Sequence, residues 1–167
     1  MRRVLISVTV LGLALSNHAL AQASKKYSGP KPPKQDLPYL MHATVLVPLE
    51  TSTATEEKRK DDNANIVKGT SSPARTPLAE PIFLLDSAKL VPEKLELYRV
   101  SVSKAGNREV AFPNHPKKSK DAPKPIRLSV TKLDGSIFKL EATEALENGS
   151  YCLSPTASSD VFCFDVY

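Results

Sequence analysis

The stretch YCLSPTASSDVFCF, residues 151–164, decides the fold because its pattern is that of two strands joined by a tight turn. Large apolar side chains alternate along both strands, so that Tyr151 can face Phe164 and Leu153 can face Phe162. This register places Cys152 opposite Cys163, and the four residues 156–159 close the turn. All four large side chains then share one face, as a half-buried strand pair requires, and the cysteines lie together on the other face.

The N-terminal residues predict export. Two arginines precede the apolar run 4–15, and small residues follow at Ala19, Ala21 and Ala23. This is the order of a secretory signal peptide, and the run is shorter than the about 20 apolar residues of a spanning helix. We expect a signal peptide over residues 1–23, cleaved after Ala21 or Ala23. The mature protein is then periplasmic or extracellular and has no transmembrane segment.

Export and strand geometry together favour a disulfide. Thiols pair in an oxidising compartment, and directly opposed residues can have Cα atoms about 4.5 Å apart, within the disulfide range. A structural zinc site needs four Cys or His ligands, whereas only His42 and His115 lie beyond the predicted signal peptide. We therefore favour a Cys152–Cys163 disulfide over free thiols or a metal site, and we expect no cofactor.

The rest of the chain predicts one β-rich domain. A chain of 167 residues fits a single domain, and its 14 prolines exclude a mostly helical bundle because proline removes a backbone donor. Loss of the two N-terminal arginines lowers the net charge from +5 to +3, too little to indicate nucleic-acid binding. We expect an all-β sandwich of about seven to nine antiparallel strands over residues 39–167. A Lys- and Pro-rich extended arm at residues 24–38 precedes it.

Apolar runs locate the other strands between polar loops. Residues 40–49 are predicted as one strand and residues 82–85 as a short buried strand. The polar segments 50–75 and 113–125 are predicted as long loops, the first interrupted only by a short return strand at 65–68.

Alternation predicts a hairpin in which the apolar residues are even-numbered: Tyr98, Val100, Val102, Val110 and Phe112. A three-residue loop at 105–107 pairs Val102 with Val110.

A further hairpin has the loop 133–135, with Gly135 in the left-handed conformation. This loop pairs Val130 with Phe138 and keeps the apolar side chains on one face.

The residues before the last hairpin carry a resemblance. Leu146, Gly149 and Tyr151 follow one another as in the tyrosine corner of immunoglobulin-like and fibronectin-III-like sandwiches, which this segment resembles. The resemblance implies an immunoglobulin-like sandwich in the C-terminal half. It also implies that the Tyr151 hydroxyl turns back to the backbone of residues 145–149, that Leu146 fills the core and that Gly149 makes the bend. The chain departs from antibody domains, whose disulfide crosses between the sheets and packs on a Trp.

The whole chain also resembles a family of uncharacterised exported bacterial proteins. The shared features are the predicted signal peptide, the Pro-rich entry and the Tyr-Cys pair near the end. This resemblance implies no activity.

Few residues are candidates for chemistry. The chain has no P-loop, dinucleotide-binding, zinc-protease or nucleophile-elbow motif. His42 is interpreted as a half-exposed strand residue and His115, flanked by prolines, as an exposed loop residue. The sequon at Asn148 matters only if the source organism glycosylates proteins.

One basic cluster has five members: Lys117, Lys118, Lys120, Lys124 and Arg127. It is predicted to be a solvated loop, and the alternative is weak contact with an anionic surface such as lipid headgroups or polysaccharide.

These features favour a non-catalytic exported interaction or structural module of the periplasm or cell surface. Its partner would be another protein or an envelope component. The alternative is a small hydrolase, or a hydrolase inhibitor, that acts through a long loop. A pocket that brings His42 or His115 close to a carboxylate and a serine would favour the enzyme. Exposed apolar side chains in residues 70–81 would favour a partner site.

Overall fold

The computed structural model describes residues 26–115 and 122–167, in which 13 strands form two packed sheets. In chain order they are β1 (Tyr39–His42), β2 (Val45–Pro48), β3 (Glu50–Thr53), β4 (Thr55–Lys58), β5 (Asp62–Val67), β6 (Arg75–Thr76), β7 (Ile82–Asp86), β8 (Leu95–Val102), β9 (Arg108–Pro113), β10 (Leu128–Asp134), β11 (Ile137–Ala142), β12 (Gly149–Pro155) and β13 (Asp160–Val166). The all-β sandwich is therefore confirmed, with more strands than the seven to nine predicted. The predicted signal peptide lies outside the described residues.

The two sheets differ in size. The smaller has the order β10-β11-β7-β1-β2, and the larger has the order β3-β13-β12-β8-β9-β5-β4. The short β6 lies beside the end of β13 and is parallel to it, whereas the other strand pairs described are antiparallel.

The main core lies between the sheets. The smaller sheet contributes Leu40, Phe83, Leu85 and Leu140, and the larger contributes Leu97, Tyr151, Leu153, Phe162 and Phe164. Phe164 meets Phe83 across the core, edge to face, with ring centroids 5.0 Å apart. On its own sheet Phe164 stacks on Tyr151 at 5.6 Å. The last hairpin thus occupies the centre of the core.

The last hairpin has the predicted register. Cys152 is opposite Cys163, Tyr151 is opposite Phe164, and residues 156–159 connect the strands. The two cysteines form a disulfide with Cα atoms 4.0 Å apart, on the face away from the main core.

We expect the denatured, unreduced protein to take up no alkylating reagent, and the reduced protein to take up two equivalents. Replacement of both cysteines by alanine should cost about 2–3 kcal/mol of unfolding free energy, because the bridge closes a short loop. Mass spectrometry after alkylation and urea denaturation of the double variant measure these two effects. Alkylation of either cysteine before reduction would contradict the disulfide.

The prediction of one strand over residues 40–49 is wrong. The chain turns at Ala43, which adopts a φ of 54°, and β1 and β2 form a hairpin. The apolar run gave no sign of this turn, because it contains no Gly, Asn, Asp or internal Pro before Pro48.

The prediction of a long loop over residues 50–75 is also wrong. This segment contains β3, β4, β5 and β6, and the predicted return strand at 65–68 lies largely within β5. Its side chains are polar because these strands are open to solvent. In β4 all four residues are exposed. The prediction relied on the polarity of the side chains and was therefore wrong. The hydrogen bonds between strands are made by backbone N–H and C=O groups, whatever the side chains.

Both middle hairpins keep the predicted faces but shift by two residues. Val102 pairs with Arg108, so the connection has five residues rather than three. Val130 pairs with Leu140, because a β-bulge between Lys132 and Asp134 precedes the turn. Gly135 has the predicted positive φ, 52°. A shift of two residues preserves the alternation, so the apolar pattern alone does not distinguish these registers.

The end of the predicted extended arm is attached to the fold. One carboxylate oxygen of Asp36 accepts hydrogen bonds from the backbone N–H groups of Ala88, Lys89 and Leu90, at 2.8–2.9 Å. Burial raises the pKa of Asp36, but these three bonds and the charge of Lys89 outweigh it and lower the pKa. The arm is therefore held by a charged carboxylate.

We expect Asp36→Asn to speed tryptic cleavage after Lys34 several-fold, because the amide accepts these bonds more weakly than the carboxylate. The folded-state pKa is depressed, so attachment should be complete above the ordinary Asp pKa and should be lost as the pH falls through the folded value. Limited proteolysis followed by mass spectrometry checks this result. Asp61→Asn, at an exposed position, is the control and should leave the cleavage rate unchanged.

The larger sheet curls until its two edges meet. Its edge strands β3 and β4 lie at opposite ends of the strand order, yet only Ala54 separates them in the chain. The Ala54 amide donates to the carbonyl of Ser159 at 2.7 Å, which continues the pairing of β3 with β13. Inside the curl lies a second, smaller apolar cluster of Val67, Val100, Cys152, Val161 and Cys163.

Candidate functional site

The inside of the curled sheet contains an open cleft of about 240 Å³. Its floor is apolar and consists of Ala54, Val67, Val100, Val110, Cys152 and Val161. An apolar cavity of about 150 Å³ can take up benzene, whereas pockets for drug-sized molecules start at about 300 Å³. The cleft therefore has room for one ring-sized group.

Two aromatic side chains form one wall of the cleft. Tyr98 and Phe112 meet edge to face with ring centroids 5.7 Å apart, a geometry that aromatic pairs favour. The Tyr98 hydroxyl donates to the Glu96 carboxylate at 2.9 Å. Burial, followed by this hydrogen bond and the charge of Glu96, raises the pKa of Tyr98 to about 12. The hydroxyl thus stays protonated at ordinary pH.

Polar side chains surround the apolar floor: Glu56, Asn65, Ser154, Ser158 and Ser159. Within the described part of the chain, only Ser158 among them makes a side-chain hydrogen bond, from the Asp160 amide at 3.0 Å. The side chains of Glu56, Asn65, Ser154 and Ser159 have no hydrogen-bond partner among residues 26–115 and 122–167.

Glu56 differs from its neighbour Glu57 on the same strand. Glu57 pairs with Arg59 at 2.8 Å, whereas Glu56 forms no ion pair with any residue that the structure describes. Glu56 lines the cleft and the lining contains no basic side chain. The charge at this site is therefore negative.

An ion pair between a fully buried arginine and a partly exposed glutamate joins two strands of the larger sheet. Arg108 lies on the same face of β9 as Val110 and is fully buried. It donates two 2.7 Å hydrogen bonds to the Glu50 carboxylate, and it donates to the carbonyls of Lys68 and Gly69 at 3.0 and 3.2 Å. Burial raises the pKa of Glu50, but the hydrogen bonds from Arg108 and its charge lower it overall. This pair joins β3 to β9 and compensates for the desolvation of both groups.

The three residues named for the predicted corner lie at the start of β12 or just before it. The Tyr151 hydroxyl donates to the Glu147 carbonyl at 2.7 Å, and burial raises the pKa of Tyr151, so the hydroxyl remains a donor. Leu146 is buried in the main core. Gly149 begins β12, where an added Cβ would lie 3.3 Å from Nε of Arg99. Asn148 of the sequon is exposed.

The histidines lie away from the cleft. His42 is in β1 of the smaller sheet, with its Nε2 atom buried, and His115 is exposed after the end of β9. Neither lines the cleft.

Of the predicted basic cluster, Lys124 and Arg127 are exposed. Lys117, Lys118 and Lys120 lie outside the described residues.

The sequence contained one sign of the cleft. The even-numbered apolar residues of β8 and β9 were predicted to share a face, and Tyr98, Val100, Val110 and Phe112 all line the cleft. The other lining residues come from Ala54, β4, β5, β12, β13 and the connection 156–159, which are distant in the chain from β8 and β9, so their proximity leaves no local pattern.

In residues 26–115 and 122–167, no helix is long and apolar enough to cross a membrane. The same residues contain no group of three His, Cys, Asp or Glu side chains placed to hold a metal ion. Comparison with protein-family models, with curated protein sequences and with solved structures gives no match.

Proposed function

We propose that the protein is a non-catalytic binding module of the periplasm or cell surface that takes up a small molecule in the cleft of its curled sheet. The cleft carries this proposal. It is a preformed apolar recess with a few free polar groups around it, which are the general features of a ligand site.

The chemistry of the lining supports binding over catalysis. Nucleophilic catalysis needs a hydroxyl or thiol activated by a neighbouring base. The serines at the cleft have no histidine beside them in the lining, and both cysteines are oxidised. This arrangement argues against the hydrolase alternative.

A second contact site, for a protein partner, is supported by Leu78. This residue belongs to the 70–81 segment, and its side chain is 47% exposed. An exposed leucine on a connecting segment suits contact with another protein. A hydrolase inhibitor would also make such a contact.

We also propose that the C-terminal half is immunoglobulin-like. The hydrogen bond from Tyr151 to Glu147 and the buried Leu146 support this assignment. The disulfide within one hairpin and the curled larger sheet are departures from antibody domains.

Amide chemical shifts of the ¹⁵N-labelled protein, titrated with small neutral and charged ring compounds, test the binding function. We expect saturable shifts at Ala54, Val100 and Val110 for at least one compound. Ala54→Leu fills the cleft and should abolish them. If no compound gives a saturable shift at concentrations up to about 10 mM, any binding is weaker than millimolar. That result would overturn the proposed function.

A further inference from the structure

Resting on the proposed binding function, the geometry points to an organic ammonium ion with a ring-sized apolar body as the ligand of the cleft. The apolar body lies on the floor of the cleft, and the ammonium group meets Glu56 at the rim. Small aryl-alkyl amines have this chemistry.

The floor of the cleft determines the size and polarity of the ligand's apolar part. Five aliphatic side chains and the cystine supply it, with no polar side chain among them. A sugar ring carries hydroxyl groups on all sides and would leave several of them without partners on this surface. A hydrocarbon ring buries apolar area without that cost.

The rim selects a donor head group. Glu56 is an acceptor without an ion pair in the described residues, and the Asn65 amide and the serine hydroxyls also offer acceptor oxygens. An ammonium group donates up to three hydrogen bonds, and charge-assisted bonds to a carboxylate are stronger than neutral ones.

A second carboxylate adds negative charge near the cleft. Glu96 pairs across the strands with Ser154, which lines the cleft, and it holds the Tyr98 hydroxyl. The faces of Tyr98 and Phe112 also attract cations. The negative charges disfavour a carboxylate or phosphate ligand, because no basic side chain in the lining would pair with it.

Lys58 does not form an ion pair with the Glu56 carboxylate. It lies two residues beyond Glu56 on β4 and is exposed. It does not line the cleft, and it lies outside salt-bridge distance of Glu56, since no such pair occurs among the described residues.

The test compares 2-phenylethylammonium with its neutral analogue 2-phenylethanol on the wild-type protein and two variants. Glu56→Gln removes the rim carboxylate. Glu57→Gln removes the same charge from the same strand, on the other face. Both positions are exposed, so both variants should fold, and dissociation constants come from amide chemical-shift titrations.

We expect the ammonium probe to bind the wild type more tightly than the alcohol. Glu56→Gln should weaken the ammonium probe about fivefold, the effect of one exposed ion pair. The alcohol should bind all three proteins alike, and Glu57→Gln should leave both probes unchanged.

The outcomes separate the ligand class from the binding function. Equal affinity of both probes, with no effect of Glu56→Gln, would overturn the ammonium assignment and leave the cleft as a binding site. Equal weakening by both variants would show a long-range charge effect and would also overturn it. Failure of both probes to bind, together with failure of the wider ring-compound panel, would overturn the binding function itself.

Discussion

Replacement of Arg108 by methionine should lower the free energy of unfolding by about 3–5 kcal/mol, the effect of breaking a buried ion pair. The substitution removes the two 2.7 Å hydrogen bonds to the Glu50 carboxylate and the side-chain bonds to the carbonyls of Lys68 and Gly69, of which Gly69 keeps its bond from the backbone N–H of residue 108. The total free energy of unfolding of a domain of this size is about 5–15 kcal/mol. Urea denaturation followed by far-ultraviolet circular dichroism should therefore show a marginally stable protein.

A double variant separates the charge effect from packing. Arg108→Met with Glu50→Leu removes both charges, so no carboxylate is left unpaired, and replacement of both partners is often close to neutral. We expect the double variant to be more stable than Arg108→Met alone. Arg59→Met is the control: Arg59 also pairs with two carboxylates, those of Glu57 and Glu109, but its side chain is 33% exposed rather than fully buried, so the loss of stability should be smaller. A double variant less stable than the single one would contradict the ion-pair account.

Tyr151→Ala should cost about 3–5 kcal/mol because it leaves a cavity in the main core. Tyr151 is 1% exposed, and its ring stacks on Phe164 in the main core. Equilibrium denaturation of this variant should show a protein near its folding threshold.

Tyr151→Phe isolates the hydroxyl. The ring remains and one buried hydrogen bond to Glu147 is lost, so we expect a loss of about 1–2 kcal/mol. Tyr98 is not a suitable control, because its hydroxyl bonds to Glu96. Tyr167 is 56% exposed and keeps its contact with Arg75 as a phenylalanine. Tyr167→Phe should stay within about 0.5 kcal/mol. If the two phenylalanine variants behave alike, the Tyr151 hydroxyl does not stabilise the corner.

The last hairpin could be predicted to the residue because three constraints coincide there. Alternation, the cysteine pair and the turn length all require the register with Cys152 opposite Cys163. For the two middle hairpins, alternation of apolar residues was the only constraint. Alternation does not distinguish registers that differ by two residues. In β9, Arg108 is opposite Val102, and its ion-pair partner Glu50 lies far away in the chain, in β3.

Apart from the shared apolar face of β8 and β9, the cleft could not be predicted from the sequence, for a different reason. It exists because the segment 50–58 pairs with β13 through its first half and with β5 through its second half. Nothing local in this polar segment distinguishes such a strand from a loop. Side chains that line the cleft come from residues as distant in the chain as Ala54 and Val161.

The meeting of β3 and β4 at Ala54 also bears on aggregation. An unpaired strand edge is a template on which other chains can add strands, and proteins limit this hazard by keeping such edges short. The junction reduces the outer strands of the larger sheet to four residues each. In the smaller sheet, β2 is equally short and ends at Pro48. The longest outer strand described is β10, with seven residues, and the bulge after Lys132 interrupts it. The path of the chain thus limits the length of uninterrupted strand edge that is open to another chain.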